Sequence, residues 1–267
     1  GFNRLSIGVQ SDDNEILKKI GRPHTFEQAR QAMEKARKAG FANISLDLMY
    51  GLPGQTMDGL RASLEGMLAL EPSHISCYAL KVEDGTPLAR QNPVLPDDDT
   101  QADMYLYLVD ALREHGFIQY EISNFARDGR VSRHNSKYWD LSEYLGFGCG
   151  AHSFYGGKRF SFTRDINGFV EGALGKQPIV EEADELSFGN RSGEYVMLKL
   201  RTAEGIDEDA FFRRFEADFA PYAARLDKYR ASGHVVCENG VWRLTPQGFL
   251  VSNAIIGDAL EGACPSE

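Results

Sequence analysis

The sequence contains no apolar run long enough to cross a bilayer. It is also poor in cysteine, and its four cysteines, Cys77, Cys149, Cys237 and Cys264, lie far apart and form no pairing motif. Such sparse use is typical of the reducing cytosol rather than of a secreted disulfide scaffold. We therefore predict a cytoplasmic protein without a transmembrane segment, for which peripheral contact with a membrane stays open.

Positive charge is the second shortage. The chain has 29 Lys and Arg against 39 Asp and Glu, a formal net charge of −10. Since a molecule of this charge repels polyanions as a whole, we expect no nucleic-acid partner. The 267 residues, of which 42% are hydrophobic, can bury a full core in one large domain or in two modest ones.

The start of the chain lacks a methionine, and a strand pattern follows within a few residues of Gly1. Native domains seldom open in this way. We expect the chain to be a fragment whose upstream part has been removed.

The first hundred residues alternate between strand and helix patterns. Apolar residues at every second position predict strands at Arg4–Gln10, near residues 44–48 and at residues 74–82. A capping box at Thr25 predicts a helix that ends at Gly40, and Thr56 is predicted to cap the next one. Strand, helix, strand, helix, strand at this spacing indicates βαβ units and a parallel sheet, so the predicted fold class is α/β.

The middle of the chain is less regular. Residues 83–99 contain glycine, three prolines and an acidic run, which predict a loop or linker. Beyond it we predict a helix at residues 100–115, a short strand at 117–122 and a helix at 165–172.

The last part, residues 181–267, is predicted to be a small α+β domain of winged-helix type. Helices are predicted at residues 184–199, 208–215 and 219–231, then a hairpin around Asn239-Gly240 and a last helix from Thr245-Pro246. Winged helices are often used on DNA, but this segment has nine Lys and Arg against 16 Asp and Glu. A groove-binding face needs clustered cations, so we interpret the wing as architecture.

The stretch from residue 120 to residue 155 is the least like ordinary scaffold. It holds His134 and His152, the aromatic pair Tyr138 and Trp139, and three glycines around Cys149. Imidazole can bind a metal, and aromatic rings can cover a flat ligand. The alternative is structural, with the aromatic pair in the core and His134 as a hydrogen-bonded loop residue.

A second candidate set follows the predicted parallel strands. Gln10 closes the first strand, Arg22 lies in the loop after it, and Asp47 lies near the end of the second. Ligands of parallel sheets sit at these strand ends, and an amide, a guanidinium and a carboxylate together suit an amino-acid-bearing nucleoside. The alternative is that Asp47 binds backbone donors and Arg22 caps a helix.

Three stretches carry a family resemblance: residues 1–11 (GFNRLSIGVQS), Gly21-Arg22, and residues 44–56 (ISLDLMYGLPGQT). They resemble the radical S-adenosylmethionine enzymes of the oxygen-independent coproporphyrinogen III oxidase family. Within that family, residues 120–126 (YEISNFA) and the His-Asn-x-x-Tyr-Trp motif at residues 134–139 look like the HemW-type haem chaperones.

The resemblance implies a role for each matching residue. Gln10 and Arg22 would hold the methionine part of S-adenosylmethionine, Asp47 its ribose, and the backbone near Met49 its adenosine. His134 would bind haem iron, and we expect the rings of Tyr138 and Trp139 to pack against the porphyrin.

The implied fold is the second half of a partial (β/α)6 radical-SAM barrel (residues 1–98), followed by a region with the His-Asn-x-x-Tyr-Trp motif (99–180) and the winged-helix-like domain (181–267). One departure is large: the Cys-x-x-x-Cys-x-x-Cys loop that binds the [4Fe–4S] cluster in this family is absent. We expect its cysteines upstream of Gly1, and we expect this fragment alone to be inactive as an enzyme.

The function implied is a chaperone that binds haem and delivers it to an acceptor protein. The alternative is an enzyme, an oxygen-independent coproporphyrinogen III dehydrogenase that performs oxidative decarboxylation in haem biosynthesis. A nucleic-acid-binding winged helix is the third reading, and the acidic charge of the last domain counts against it.

Overall fold

A computed structural model describes residues 1–176, 178–185 and 188–261. Cys264 and the end of the predicted last domain lie outside these residues. The chain divides into two compact units, Gly1–Val131 and Ser132–Glu267. The three predicted segments, 1–98, 99–180 and 181–267, stay a prediction about domains.

The first unit is a five-stranded sheet with helices. Its sheet has the order β1-β2-β3-β5-β4, in which the first three strands are parallel and β5 is antiparallel to both of its neighbours. The elements in chain order are β1 (Arg4–Gln10), α1 (Asn14–Lys19), α2 (Phe26–Lys38), β2 (Asn43–Tyr50), α3 (Met57–Leu68), β3 (His74–Ala79), α4 (Pro87–Arg90), α5 (Asp98–Glu114), β4 (Ile118–Glu121) and β5 (Asn124–Ala126).

Local signals begin α2 and α3, and end α2, as predicted. Thr25 and Gln28 form the capping box of α2, and Gly40 follows its end with φ of +91°. The Thr56 hydroxyl accepts from the Gly59 amide at the start of α3. Helices α1 and α4 and strand β5 were not predicted, because segments this short carry too few periodic residues. The predicted third strand ends at Ala79 and not at residue 82.

The sheet has one apolar face and one polar face. Side chains of a strand alternate between faces, and the apolar set Ile44, Leu46, Leu48 and Ile75 is at most 2% exposed. The helices α2, α3 and α5 pack against β1 and β2 and supply the apolar partners. The intervening positions form the polar face, whose members include Arg4, Ser6, Ser45, Asp47, His74, Ser76 and Asn124.

His74 on the polar face is only 1% exposed and is held by two hydroxyls. Its Nδ1 lies 2.7 Å from Ser45 Oγ, and its Nε2 lies 2.9 Å from the Tyr120 hydroxyl. Burial lowers the pKa of His74 to about 3, and the charge of Arg4 acts in the same direction. The imidazole is therefore neutral in the folded unit at all ordinary pH values.

We expect the first unit to lose stability as the pH falls from about 6.5 toward 3. In that window the unfolded chain protonates His74 and the folded unit does not, so each proton favours unfolding, by about 1.4 kcal/mol per unit of pKa difference. The measurement is urea unfolding at a series of pH values, followed by far-ultraviolet circular dichroism because both tryptophans belong to the second unit. His74→Gln should flatten the pH dependence, whereas the exposed His115→Gln should not. Equal slopes for wild type and His74→Gln would contradict the prediction.

The second unit contains two three-stranded sheets with the orders β6-β7-β8 and β10-β11-β9, all antiparallel. Its elements are α6 (Arg133–Trp139), β6 (His152–Tyr155), β7 (Lys158–Phe162), α7 (Ile166–Ala173), β8 (Val180–Glu185), α8 (Phe188–Lys199), β9 (Ile206–Asp207), α9 (Glu208–Phe215), α10 (Ala220–Leu226), a 3-10 turn (Asp227–Tyr229), β10 (Val235–Glu238), β11 (Val241–Leu244), α11 (Pro246–Leu250) and α12 (Ser252–Glu261).

The predicted wing is present. The turn residues Asn239 and Gly240 have φ of 52° and 76°, the left-handed values that this hairpin turn requires. Strand β11 also pairs with β9, and the ring of Phe211 packs against those of Phe215, Phe219 and Tyr222 under the helices.

Three helix predictions in this unit need correction. The helix predicted from residue 184 begins at Phe188, because residues 180–185 form β8 along β7. That strand is acidic and lacks the apolar alternation that would have revealed it. The helix predicted at residues 219–231 is only α10 with a 3-10 turn, and the last predicted helix is divided at Val251 into α11 and α12. None of the helices in the described part of the chain combines the length and the apolar character that crossing a bilayer requires.

Candidate functional site

A β-bulge ends the first strand at Gln10. The pairing of β1 with β2 shifts register between Gly8 and Gln10, and Gln10 has φ of 72°. A non-glycine residue in this conformation is strained. Bulges next to active sites often redirect a side chain. The backbone therefore turns the Gln10 side chain back along its own strand.

Gly8 leaves the space that the Gln10 amide occupies. A Cβ atom at Gly8 would lie 2.7 Å from Gln10 Nε2 and 4.0 Å from Asp47 Oδ2. The other end of the Gln10 amide is fixed, because the Tyr78 hydroxyl donates to its Oε1 at 3.0 Å. An amide and a carboxylate thus converge on one glycine at the carboxyl end of β1.

Asp47 lies at the centre of a polar row across the sheet. In register it lies between Gly8 on β1 and Ser76 on β3, and its carboxylate accepts from the Ser6 hydroxyl at 3.0 Å and from Ser76. Burial raises the pKa of Asp47, while the two serine hydrogen bonds and the charges of Arg4 and Arg22 oppose that rise. The carboxylate is thus partly desolvated, and its charge attracts a donor strongly.

Arg22 is exposed in the turn after α1. Its amide donates to the Leu17 carbonyl at 2.9 Å and closes that helix, as the structural alternative proposed. Its guanidinium also lies close enough to influence the charge of Asp47 and the hydroxyl of Tyr78. The structure thus brings Gln10, Arg22 and Asp47 to one edge of the sheet.

Met49 differs from the other three, because its side chain is buried with Ile16 and Leu52. Its carbonyl accepts from Gln55 Nε2 at 3.4 Å. Any contact between this residue and a ligand at the strand ends therefore has to come from the backbone, as the prediction stated.

Sequence reasoning missed four residues of this site: Ser6, Gly8, Ser76 and Tyr78. A signal was present, since Ser6 and Gly8 alternate with the apolar residues of β1, and Ser76 and Tyr78 alternate with those of β3. A polar residue at every second position of a strand from a parallel sheet is unusual, because such strands are commonly buried on both faces.

The second unit holds the other candidate set, at helix α6. His134 and Tyr138 are one turn apart, and His134 Nε2 lies 2.9 Å from the Tyr138 hydroxyl. Their rings meet edge to face at 5.4 Å, and Tyr138 meets Tyr144 in the same way at 4.6 Å. His134 is exposed and Tyr138 is 40% exposed, so the row begins at the surface.

The remaining members of the motif lie apart from this row. Trp139 is half-buried at the end of α6, about 100° around the helix from Tyr138. Within the described residues, the hydrogen-bond partner of His134 Nε2 is the Tyr138 hydroxyl. His152 is exposed at the start of β6, and Gly146 packs so closely on its carbonyl that a Cβ would lie 2.3 Å away.

The described cysteines do not form a cluster site. Cys77 is buried in β3, Cys149 is exposed and Cys237 is half-buried in β10. Within the described residues no group of three His, Cys, Asp or Glu side chains is placed to hold a metal ion. An iron–sulfur cluster therefore does not fit this part of the chain, while a haem iron, which needs a single imidazole, fits His134.

Two models of known protein families match the chain, one in each of its two compact units. Residues 1–65 match the family model of the radical SAM superfamily, and residues 191–251 match that of the HemN C-terminal domain. In its fold the chain is similar to coproporphyrinogen III oxidase (HemN) from Escherichia coli, with a TM-score of 0.81 over 97% of this chain and 64% of that one. Their sequences are 20% identical, so this likeness shows the fold alone, and it confirms the predicted α/β radical-SAM fold.

Curated relatives are more similar in sequence. The heme chaperone HemW of Bacillus subtilis is 35% identical over 262 residues, which are 96% of this chain and 69% of the relative. The heme chaperone HemW of Escherichia coli is 34% identical over 96% of this chain and 68% of its own length. That of Lactococcus lactis is 39% identical over 81% of this chain, and the match covers 58% of the relative.

Proposed function

Because the chain belongs to the HemW family of radical SAM proteins, we propose that it is the part of a haem chaperone that binds haem and hands it to an acceptor protein. The observation that carries the proposal is the row His134, Tyr138 and Tyr144 on the second unit, an imidazole beside two aromatic rings at the surface. The cytoplasmic location expected from the sparse cysteines belongs to the same proposal.

His134 supplies the iron ligand in this proposal. Neutral imidazole is a common ligand of haem iron, and its second nitrogen is usually held by a hydrogen bond that sets the tautomer. In this proposal the Tyr138 hydroxyl, 2.9 Å from Nε2, is that partner, and Nδ1 binds the iron. Aromatic rings such as Tyr138, Tyr144 and Trp139 gain contact area against the porphyrin face.

An iron-binding histidine at the surface suits a protein that delivers its haem to an acceptor. Burying haem deeply would give tight binding at the cost of slow release, since affinity differences mostly reside in the dissociation rate. His134 is exposed, and within the described residues no group of three His, Cys, Asp or Glu side chains is placed to hold a metal ion. Haem held in this way has a free face that an acceptor protein can reach.

The first unit binds S-adenosylmethionine in this proposal. The Asp47 carboxylate accepts from the two ribose hydroxyls, Gln10 and Arg22 bind the amino-acid end, and the Met49 backbone lines the adenosine. Gly8 keeps the Gln10 amide and the Asp47 carboxylate free to face the ligand. Bound next to a [4Fe–4S] cluster, the cofactor supplies radical chemistry in this superfamily. No group of three described His, Cys, Asp or Glu side chains could hold such a cluster, so the part of these residues is to bind and orient the cofactor.

Haem titration of the chain, followed by the Soret band, tests the proposal. We expect saturation at one haem per chain, with a spectrum that shifts from that of free haem to that of a histidine-ligated iron. Addition of excess imidazole should release the haem, because it competes for the same iron. A linear rise without saturation would contradict haem binding and would leave the two alternatives, an oxygen-independent coproporphyrinogen III dehydrogenase and a purely structural role of these residues.

A further inference from the structure

A partly buried cluster of charges lies beyond the aromatic row, between β7 and α8 of the second unit. Arg159 on β7 forms a short ion pair with Glu194 Oε1, and the Glu194 side chain is only 11% exposed. Among the described residues, the buried atoms Glu194 Oε2 and Arg191 Nε have no hydrogen-bond partner. Buried polar atoms without partners cost free energy, so this cluster is incomplete as it stands.

The cluster adjoins the row that starts at His134. The Tyr144 backbone pairs with that of Phe154 at 2.8 and 3.0 Å, and the Arg159 guanidinium lies 5.7 Å from the centre of the Phe154 ring. Arg159 and Glu194 both act electrostatically on the Tyr144 hydroxyl. Two ring-to-ring steps, of 5.4 and 4.6 Å, separate His134 from Tyr144.

Local charge in this part of the chain is opposite to that of the whole. Residues 132–164 contain five Lys and Arg and two Asp and Glu, whereas the chain carries a net charge of −10. A basic segment in an acidic protein attracts anions to itself. Haem is such an anion, because its two propionate carboxylates project from one edge of the macrocycle.

We propose that Arg159 binds a propionate carboxylate of haem while His134 holds the iron; this inference rests on the proposed function. The guanidinium has five donors in a planar fork that can bind a carboxylate through two parallel hydrogen bonds, and in the free protein it pairs with Glu194, which a propionate would displace. Arg159 keeps a 43% exposed side chain, so a ligand can reach it from the surface. Arg159 therefore combines positive charge, access from the surface and a planar guanidinium that can bind a carboxylate.

Glu194 and Arg191 explain how the pair opens. When a propionate takes donors of Arg159, the Glu194 carboxylate needs a replacement partner. Arg191 lies three residues before Glu194 on α8, a spacing at which side chains meet across one helical turn. Its buried Nε has no hydrogen-bond partner among the described residues. Glu194 thus positions Arg159 in the free protein, and its carboxylate pairs with Arg191 instead when the haem propionate binds Arg159.

The test compares haem with haem dimethyl ester, which keeps the macrocycle and iron but has no carboxylate. Arg159→Gln should weaken haem binding about tenfold or more, the usual effect of losing a charge-assisted pair, and should leave binding of the ester unchanged. Arg230→Gln is the matched control, since it removes the same charge from an exposed pair with Asp227 in the same unit. It should change neither affinity.

Two further variants separate binding from folding. Arg159→Gln leaves Glu194 unpaired, so the double variant Arg159→Gln with Glu194→Gln, checked by thermal unfolding, restores a neutral pair and should still bind haem weakly. Glu194→Gln alone removes the competitor and should tighten haem binding. The inference is overturned if Arg159→Gln weakens haem and ester equally, or if it leaves both unchanged while wild type binds haem. If wild type binds neither ligand, the proposed function itself fails and the inference falls with it.

Discussion

His134→Ala should abolish stoichiometric haem binding, with loss of the shifted Soret band and no change in the far-ultraviolet spectrum. The expected effect is this large because the imidazole supplies the bond to iron, which ring packing alone does not replace. The fold should survive, since His134 is exposed and, among the described residues, its side chain hydrogen-bonds to Tyr138, at 2.9 Å. Wild-type affinity and spectrum in His134→Ala would show that the ligand lies elsewhere.

Two variants serve as controls for the His134 result. His152→Ala removes an exposed histidine of the same unit and should change haem affinity far less. Tyr138→Phe keeps the ring and removes only the hydroxyl. Weaker haem binding in this variant would show that the hydroxyl orients the imidazole, and tighter binding would show that it competes with iron for Nε2.

Asp47→Ala should weaken S-adenosylmethionine binding by tenfold or more, measured by titration calorimetry. Each hydrogen bond from a ribose hydroxyl to the carboxylate contributes about 1.5–3 kcal/mol at most, and about 1.4 kcal/mol corresponds to a factor of ten. The partial burial of the carboxylate raises its pKa and strengthens the interaction with a donor. Affinity should also fall when acid protonates this group.

The matched control for Asp47 is Asp58→Ala. Asp58 belongs to the same unit and pairs with Arg61 at the surface of α3, so its removal changes the net charge equally. Asp47→Asn is the second comparison, because it keeps the volume and one acceptor and should lose less affinity than alanine. Unchanged affinity in Asp47→Ala, with the unit folded, would remove this residue from the site.

Much of the fold follows from local sequence patterns. Thr25 with Gln28, Thr56 and the Asn239-Gly240 pair act through hydrogen bonds and backbone conformations only a few residues long, so their effects are visible in the sequence. Strand β8 is different, because the backbone of β7 and not an apolar pattern holds it in place. Pairing between segments far apart in the chain leaves no periodic signal in an acidic stretch.

The candidate sites divide in the same way. The types of the side chains, a carboxylate at 47, an amide at 10 and an imidazole at 134, follow from the sequence and its resemblance to a family. Their surroundings do not. The register of neighbouring strands places the Gln10 side chain over Gly8 and the Tyr78 hydroxyl on the Gln10 amide. Helix geometry places the Tyr138 hydroxyl on His134.

The helix starts at Thr25 and Thr56 and the turn at Asn239-Gly240 could thus be predicted from the sequence, since they depend on interactions within a few residues. Tertiary structure alone decided which side chains meet. The ion pair of Arg159 with Glu194 joins residues 35 positions apart, and the buried atoms left without partners beside it arise only from packing β7 against α8. Contacts of this range depend on three-dimensional packing, because no local preference specifies a partner at such separation.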